Sequence, residues 1–190
     1  MMRCIRPAVS LLVVMTILVG ILYPLAITGI AALAFPSAAH GSLVYRNGTL
    51  VGSSLIGQQF SDPRYFWGRP SATTPQPYNG TASSGSNLGP LNPALLDAAK
   101  SAAKALRDAD PDNPAPVPVE LVSASASGLD PEISPAAAQY QAARVARLRH
   151  VPIERIEGLI EAHERGRLLG FIGEPRISVL ELNLALDQLP

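Results

Sequence analysis

From Pro7 to Ala39 the chain carries no charged residue, and Val, Leu, Ile and Ala dominate the run. About 20 apolar residues cross a bilayer core at 1.5 Å rise each, so Val9 to Phe35 is long enough to span one even when tilted. Pro24 and Gly29 are tolerable inside a helix in lipid, and with Tyr23 they mark an expected kink or helix contact. A cleavable secretory leader would share some features, namely basic Arg3 and Arg6 and the cleavage-like triplet Ala32-Leu33-Ala34. Leader cores, however, run about 7 to 15 residues, and this one is roughly twice that, which favours a retained anchor.

Arg3 and Arg6 precede the run and the next positive charge is Arg46. The positive-inside rule then predicts a cytoplasmic N-terminus over residues 1–8, a transmembrane helix over 9–35 and an extracytoplasmic domain over 40–190. This is the topology of a single-pass protein of the inner (plasma) membrane. The charge balance is even, with 15 basic and 15 acidic residues, so no nucleic-acid footprint is present. The one cysteine, Cys4, lies at the N-terminal end, so the outer domain forms no internal disulfide.

The outer region is marked by YFWGRPSATTPQPYNGTASSGSNLGPLNP, residues 65–93, in which most positions are Gly, Pro, Ser, Thr or Asn and only Arg69 is charged. A disordered linker should be poor in aromatics. This block holds Tyr65, Phe66, Trp67 and Tyr78, out of a complement of one Trp, five Tyr and four Phe. It is therefore expected to be an ordered functional loop, with Tyr65, Trp67, Arg69, Tyr78, Asn79 and Asn87 as its candidate interface residues. Neutral oxygens beside rigid aromatics suit protein contact or the mouth of a monovalent-ion path.

Around the block the pattern alternates short strands and helices. Asn47-Gly48 between Ser42–Arg46 and Thr49–Val51 predicts a β-hairpin, its second strand running on to Ile56. Asn92-Pro93 and Ser134-Pro135 each pair a capping residue with proline at the first helical position. They open predicted helices that end before Pro111 and near Arg149. A third helix is expected from Pro152, a strand over Arg176–Val179, and a last helix through Leu182, Leu186 and Leu189. Residues 117–122 are a further strand candidate. Ser123 to Gly128 is a run of small residues that lets backbone approach backbone. The reading is an α+β chain: one N-terminal transmembrane helix followed by one extracytoplasmic mixed α/β domain.

Catalytic patterns are poor. His40, His150 and His163 lack partners at metal-ligand spacing, and neither H-E-x-x-H nor a lysine-bearing phosphate loop occurs. Gly85-Ser86-Asn87-Leu88-Gly89 misplaces the serine of a nucleophile turn by one position, so a tethered hydrolase using Ser86 is the weakest alternative. The Asn47 and Asn79 glycosylation triplets carry little weight, since the hairpin turn explains the first. Neither a catalytic nor a metal site is expected.

Gly57-Gln58-Gln59-Phe60, Tyr65 to Thr73, Pro77-Tyr78-Asn79, Ser83 to Pro90, Ser123 to Pro131, Ile133-Ser134-Pro135, Gln141 with Arg144-Val145-Ala146, and Gly173-Glu174-Pro175-Arg176 leading to Leu182-Asn183 and Ala185-Leu186-Asp187 occur in one order. Together they resemble the C subunit of the Kdp-type potassium-transporting ATPase, over anchor and outer domain alike. Trp67 stands where many members of that family have His, and residues 108–118 fall in a variable region.

The resemblance implies an accessory, non-catalytic subunit that supports assembly of a high-affinity potassium pump. Its partners would be a channel-like potassium-binding subunit, a P-type ATPase subunit and a small single-span subunit. No cofactor would be bound tightly, since K+ and ATP are handled by the complex. The family is also described as raising ATP affinity, which by resemblance marks Ser84, Gly85, Ser86 and Gln141 as nucleotide-related. An extracytoplasmic domain faces an ATP-poor compartment, so that effect is expected to be indirect. The competing expectation is a stand-alone anchored protein that captures a small ligand with Tyr65, Trp67 and Tyr78.

Overall fold

The N-terminal sequence, charge-free from Pro7 on, forms one long apolar helix. The structure, a computed structural model, describes residues 4–189. Arg3, half of the basic signal ahead of the span, therefore lies outside the described residues. The helix runs Ile5–Ala34, is long and apolar enough to cross a membrane, and buries none of its own residues. It is built of α1 (Ile5–Ile17), a π-helical stretch over Leu18–Leu22, and α2 (Tyr23–Ala34). The wide turn lies just before Pro24, whose ring lacks an N–H and would crowd the carbonyl of Gly20 in a regular α-helix. The π stretch is thus the local adjustment to proline at the position where a kink or contact was expected. A single turn, α3 (Pro36–Ala39), follows.

The chain divides into two units, Met1–Leu43 and Val44–Pro190. Where the second begins, β1 (Leu43–Arg46) and β2 (Thr49–Ser53) form a two-stranded sheet. Asn47 at φ 50° and Gly48 at φ 77° supply the left-handed pair that a tight hairpin turn requires. The second strand ends at Ser53, not at Ile56. There Leu55 N–H bonds to the Ser53 hydroxyl and Ile56 N–H to the Ser53 carbonyl, which curls the chain out of the sheet.

Helix α4 (Pro93–Ala109) starts where Asn92 Oδ1 accepts from Ala94 N–H at 3.0 Å. Helix α5 (Pro135–Arg149) starts where Ser134 Oγ accepts from Ala137 N–H at 3.2 Å. Both are the cap-and-proline starts the sequence carries. The strand expected over 117–122 is instead a 3-10 turn, Val119–Leu121. Pro116 and Pro118 remove the ladder donors that a strand would need, and Leu121 is left to plug the core. A two-residue antiparallel pairing joins β3 (Glu132–Ile133) to β4 (Ile177–Ser178) in the register Glu132 to Ser178 and Ile133 to Ile177.

Packing centres on α5 against α6 (Ile153–His163), and α6 against α7 (Val179–Leu186). The core holds Ala138, Ala142 and Val145 from α5, Ile156 and Ile160 from α6, and Leu182 and Leu186 from α7. Alanines on α5 keep that face flat, so its neighbours approach closely. Phe66, from the polar block, is fully buried in the same cluster. Helix α4, by contrast, buries only Leu106.

Candidate functional site

The block at 65–93 contains neither helix nor strand up to Asn92, yet side chains and neighbouring backbone take up the N–H groups of Phe66, Trp67, Tyr78, Asn79 and Ser84. Buried N–H and C=O groups must find partners, and an extended segment outside a sheet needs side chains to supply them. Two amides do this for the aromatic start. Asn183 on α7 accepts from Phe66 N–H at 2.9 Å and donates to Phe66 C=O at 2.9 Å. Gln141 on α5 does the same for Trp67, accepting at 2.8 Å and donating at 3.1 Å. Each amide acts as a one-residue strand edge.

Gln141 has further bonds. Its Nε2 donates to Ala137 C=O at 3.2 Å and its Oε1 accepts from Arg144 at 2.7 Å, which uses both donors and both acceptor sites. Arg144 is 1% exposed, reaches the Pro63 carbonyl, and places its guanidinium 4.8 Å from the centre of the Trp67 ring. Burial lowers its pKa to about 10, which still leaves it charged at neutral pH. The nearby Asp110 charge, the Pro63 carbonyl, the Gln141 amide oxygen and the Trp67 ring face stabilise that charge. Trp67 Nε1 donates to Asp62 C=O at 3.0 Å, so the indole is fixed at both ends.

Hydroxyls organise the middle of the block. Ser71 Oγ donates to Gly128 C=O at 2.6 Å and accepts from Tyr78 N–H at 2.9 Å. Thr73 Oγ1 donates to Gln76 C=O and accepts from Asn79 N–H. Asn79 is buried, with its amide donating to Thr74 C=O and its Oδ1 accepting from Thr81. This commits the side chain that glycosylation would need. Tyr78 O–H donates to Arg69 C=O, and burial followed by the nearby Asp130 charge pushes its pKa up to about 12. Arg69 pairs with Asp130 at 3.0 Å, while its buried Nε has no partner.

The small residues at 123–128 receive the block's far side. Ser84 N–H and Ser83 Oγ both bond to Ser127 C=O at 3.0 Å. A Cβ on Gly85 would lie 2.7 Å from Ala126 O, so the contact requires glycine. At the start of the loop, a Cβ on Gly57 would lie 2.4 Å from the Tyr78 ring and 2.6 Å from Asp130 O. Backbone thus approaches backbone, as the composition implied.

A third anchor lies at Tyr65. Asp187 accepts from Arg149 at 2.7 Å, from Arg46 at 2.8 Å and from Tyr65 O–H at 3.2 Å, with the Arg149 guanidinium 4.5 Å over the Tyr65 ring. Burial raises the Asp187 pKa, but the three hydrogen bonds outweigh it and the net shift is downward. The clamp ties the first hairpin, the aromatic block and the C-terminal end of the chain together.

The candidate residues do not form one cluster. Tyr65 belongs to the Asp187 clamp, while Trp67, Arg69 and Tyr78 line a separate cleft of about 270 Å³ closed by α4. Ser84, Ser86 and Asn87 are exposed, Asn87 in left-handed backbone at φ 51°, whereas Gln141 is 1% exposed on α5 and bonded elsewhere. Among the described residues no group of three or more His, Cys, Asp or Glu could hold a metal. Sequence reasoning named Arg144, Asn183, Asp187 and Asp130 in motifs but gave them no site role. The signal that could have found two of them is a polar residue on an apolar helix face: Arg144 between Ala142 and Val145, and Asn183 beside Leu182.

Comparison with known proteins covers the whole of this architecture. The model of the family described as KdpC, K+-transporting ATPase, c chain, matches residues 5–188. A Potassium-transporting ATPase KdpC subunit of Variovorax paradoxus is 64% identical over 187 residues, covering 98% of this chain and 97% of the relative. That of Dechloromonas aromatica is 60% identical over 187 residues and covers 98% of each chain. That of Methylococcus capsulatus is 59% identical over 189 residues and covers 100% of both.

Proposed function

Because the chain belongs to the KdpC family, the c chain of the K+-transporting ATPase, we propose that it is the accessory, non-catalytic subunit of an ATP-driven potassium uptake pump. The apolar helix anchors it in the inner (plasma) membrane with the N-terminus inside, an orientation supported by Arg6 and Arg3 ahead of the span. The folded domain then stands on the outer face, where it docks on a channel-like potassium-binding subunit. The P-type ATPase subunit carries the ATP chemistry, with a small single-span subunit as a further neighbour.

The observation that carries this reading is the saturated Gln141–Trp67–Arg144 network. Every hydrogen-bonding position of Gln141 is used inside the domain, so its role is to hold the block in shape. A rigid, self-satisfied loop suits a docking surface. An influence on ATP affinity is then indirect, exerted by biasing the pump between conformations.

The test is to co-express the tagged full-length chain with the potassium-binding and ATPase subunits and purify in mild detergent. Stoichiometric recovery of both, with potassium-stimulated ATP hydrolysis that needs the chain, is the expected result. Recovery of the chain alone would overturn the reading. Ser86→Ala, at an exposed position, should leave the apparent ATP affinity of the complex unchanged; a marked loss, with position 86 labelled from the cytoplasmic side, would replace the indirect account by direct contact.

A further inference from the structure

Between α6 and β4 the chain forms a small hairpin that projects from the domain. Arg165 and Arg176 exchange backbone hydrogen bonds at 2.8 and 3.0 Å, and Leu168 and Ile172 do so at 2.9 and 3.0 Å. The tip reads Leu168-Leu169-Gly170-Phe171-Ile172, and every residue from 164 to 174 is exposed. Leu168 is 65% exposed, Leu169 77%, Phe171 73% and Ile172 47%. A turn tip should be polar, and four large apolar side chains in open solvent weaken solubility and invite aggregation.

The backbone adds an independent observation. Leu169 sits at φ 55°, in the left-handed region that a side chain as bulky as leucine adopts only at a steric cost. Asn or Gly would make the same turn without that cost. Strain of this kind, held at an exposed apolar tip, marks a site whose side chain is needed by something outside the chain.

Charge decides between the occupants. An element that binds a lipid surface combines apolar residues with free basic ones that meet the headgroups. Here each guanidinium at the base is already paired: Arg167 with Glu174 at 2.6 Å, Arg165 with Glu181 at 2.6 Å, and Arg176 with Glu132 at 3.1 Å. An apolar centre ringed by neutralised polar groups is the anatomy of a protein interface.

We propose that the Leu168–Ile172 tip is a docking knob that inserts into an apolar, uncharged groove on the outer face of another subunit of the same K+-transporting ATPase. Leu169 and Phe171 supply the buried contact, and the three ion pairs hold the hairpin upright and neutralise its rim. This rests on the accessory-subunit reading and adds to it the element that makes the contact.

The experiment uses the full-length chain co-expressed with the transporter subunits, with Phe171 replaced by p-benzoylphenylalanine and, as a control, Asp97 on α4 replaced likewise. Illumination should join position 171, but not position 97, to a transporter subunit. Leu169→Asp should reduce recovery of those subunits by about tenfold or more at equal abundance of the chain. Adducts from position 171 to lipid alone, or to a second copy of this chain, would overturn the proposal. So would an intact complex that gives no adduct at 171. Absence of any complex with the unaltered chain would instead defeat the accessory reading beneath it.

Discussion

The block at 65–93 and the hairpin at 165–176 invert the usual relation between polarity and burial. The first is rich in Gly, Pro, Ser, Thr and Asn, yet it contains buried Phe66, Thr73 and Asn79. The second carries Leu, Leu, Phe and Ile in succession around one glycine and leaves them in solvent. Hydropathy does not separate them; completion of partners does. The aromatic start, Ser71 and Ser83 to Gly85 of the block meet side chain or backbone from α5, α7 or residues 123–128, whereas the backbone hydrogen bonds of the hairpin tip run within the hairpin. The aromatic start of the block is finished by its own chain, and the tip is the element proposed to meet another.

The sharpest way to break this contrast is to remove an amide that finishes the block. Gln141→Ala strands the part-buried N–H and C=O of Trp67 and leaves the buried Arg144 short of an acceptor. Unsatisfied buried groups cost about 1 to 3 kcal/mol each in part, so a total loss of about 3 kcal/mol is expected. Chemical denaturation of the full-length chain in detergent, followed by the Trp67 emission, measures it. A loss below about 1 kcal/mol would mean that water replaces the amide and that the block is not held as argued.

A smaller effect is expected at Gly57. Its added methyl would meet both the Tyr78 ring and the Asp130 carbonyl well inside contact distance. Overpacking against a backbone oxygen, which cannot rotate away, should cost about 2 kcal/mol in Gly57→Ala. Gly89→Ala, where nothing lies within 4 Å, is the control and should be near neutral. Equal behaviour of the two would show that the loop moves freely to accommodate the change.

How far these relations were visible in the sequence depends on their range. The helix starts at Asn92-Pro93 and Ser134-Pro135, the Asn47-Gly48 turn and the apolar span are local signals, and each appears where the residues implied. The order of the block was legible from its aromatics. What the block pairs with was not, because Gln141 lies 74 positions from Trp67 and Asn183 lies 117 from Phe66. An amide on a helix looks the same in sequence whether it faces water or replaces a strand edge. The strand expected at 117–122 failed for a related reason: its β-branched residues spoke for a strand, and two prolines with one tertiary socket for Leu121 decided for a turn. The exposed tip escaped notice because an apolar run ahead of a strand reads as core until the fold leaves it outside.

Asp187 offers a finer probe of how the chain closes on itself. Its pKa is lower in the folded state than its ordinary value of 3.8, despite the opposing effect of burial, because Arg149, Arg46 and Tyr65 donate to it. Stability from this carboxylate is therefore complete above that ordinary value and is lost as pH falls through the lowered folded one. Asp187→Asn should lower stability by about 1 kcal/mol at pH 7, given that all the partners are partly exposed. It should also flatten the acid limb of the stability profile below pH ~4, where only the unaltered chain still has this contribution to lose. An unchanged acid limb would place the linkage elsewhere, with Asp62, held at about 2 by Arg64, the next carboxylate to alter.

The smallest expected effect is also the most discriminating. In the chain without partners, Leu169→Asn and Phe171→Ser should change stability by no more than about 0.5 kcal/mol, because both side chains are more than two-thirds exposed and leave no cavity. Leu169→Asn should even be slightly stabilising, since asparagine tolerates the left-handed backbone that leucine holds under strain. Thermal unfolding of the two variants beside Gln141→Ala places tip and block on one scale. If the tip variants unfold as readily as the amide variant, the tip is part of the fold and the contrast between finished and waiting regions is lost. If they are silent alone yet impair the assembled transporter, the cost that the isolated chain carries in exposed leucine and phenylalanine is recovered at the interface, which is the physical reason such residues remain outside.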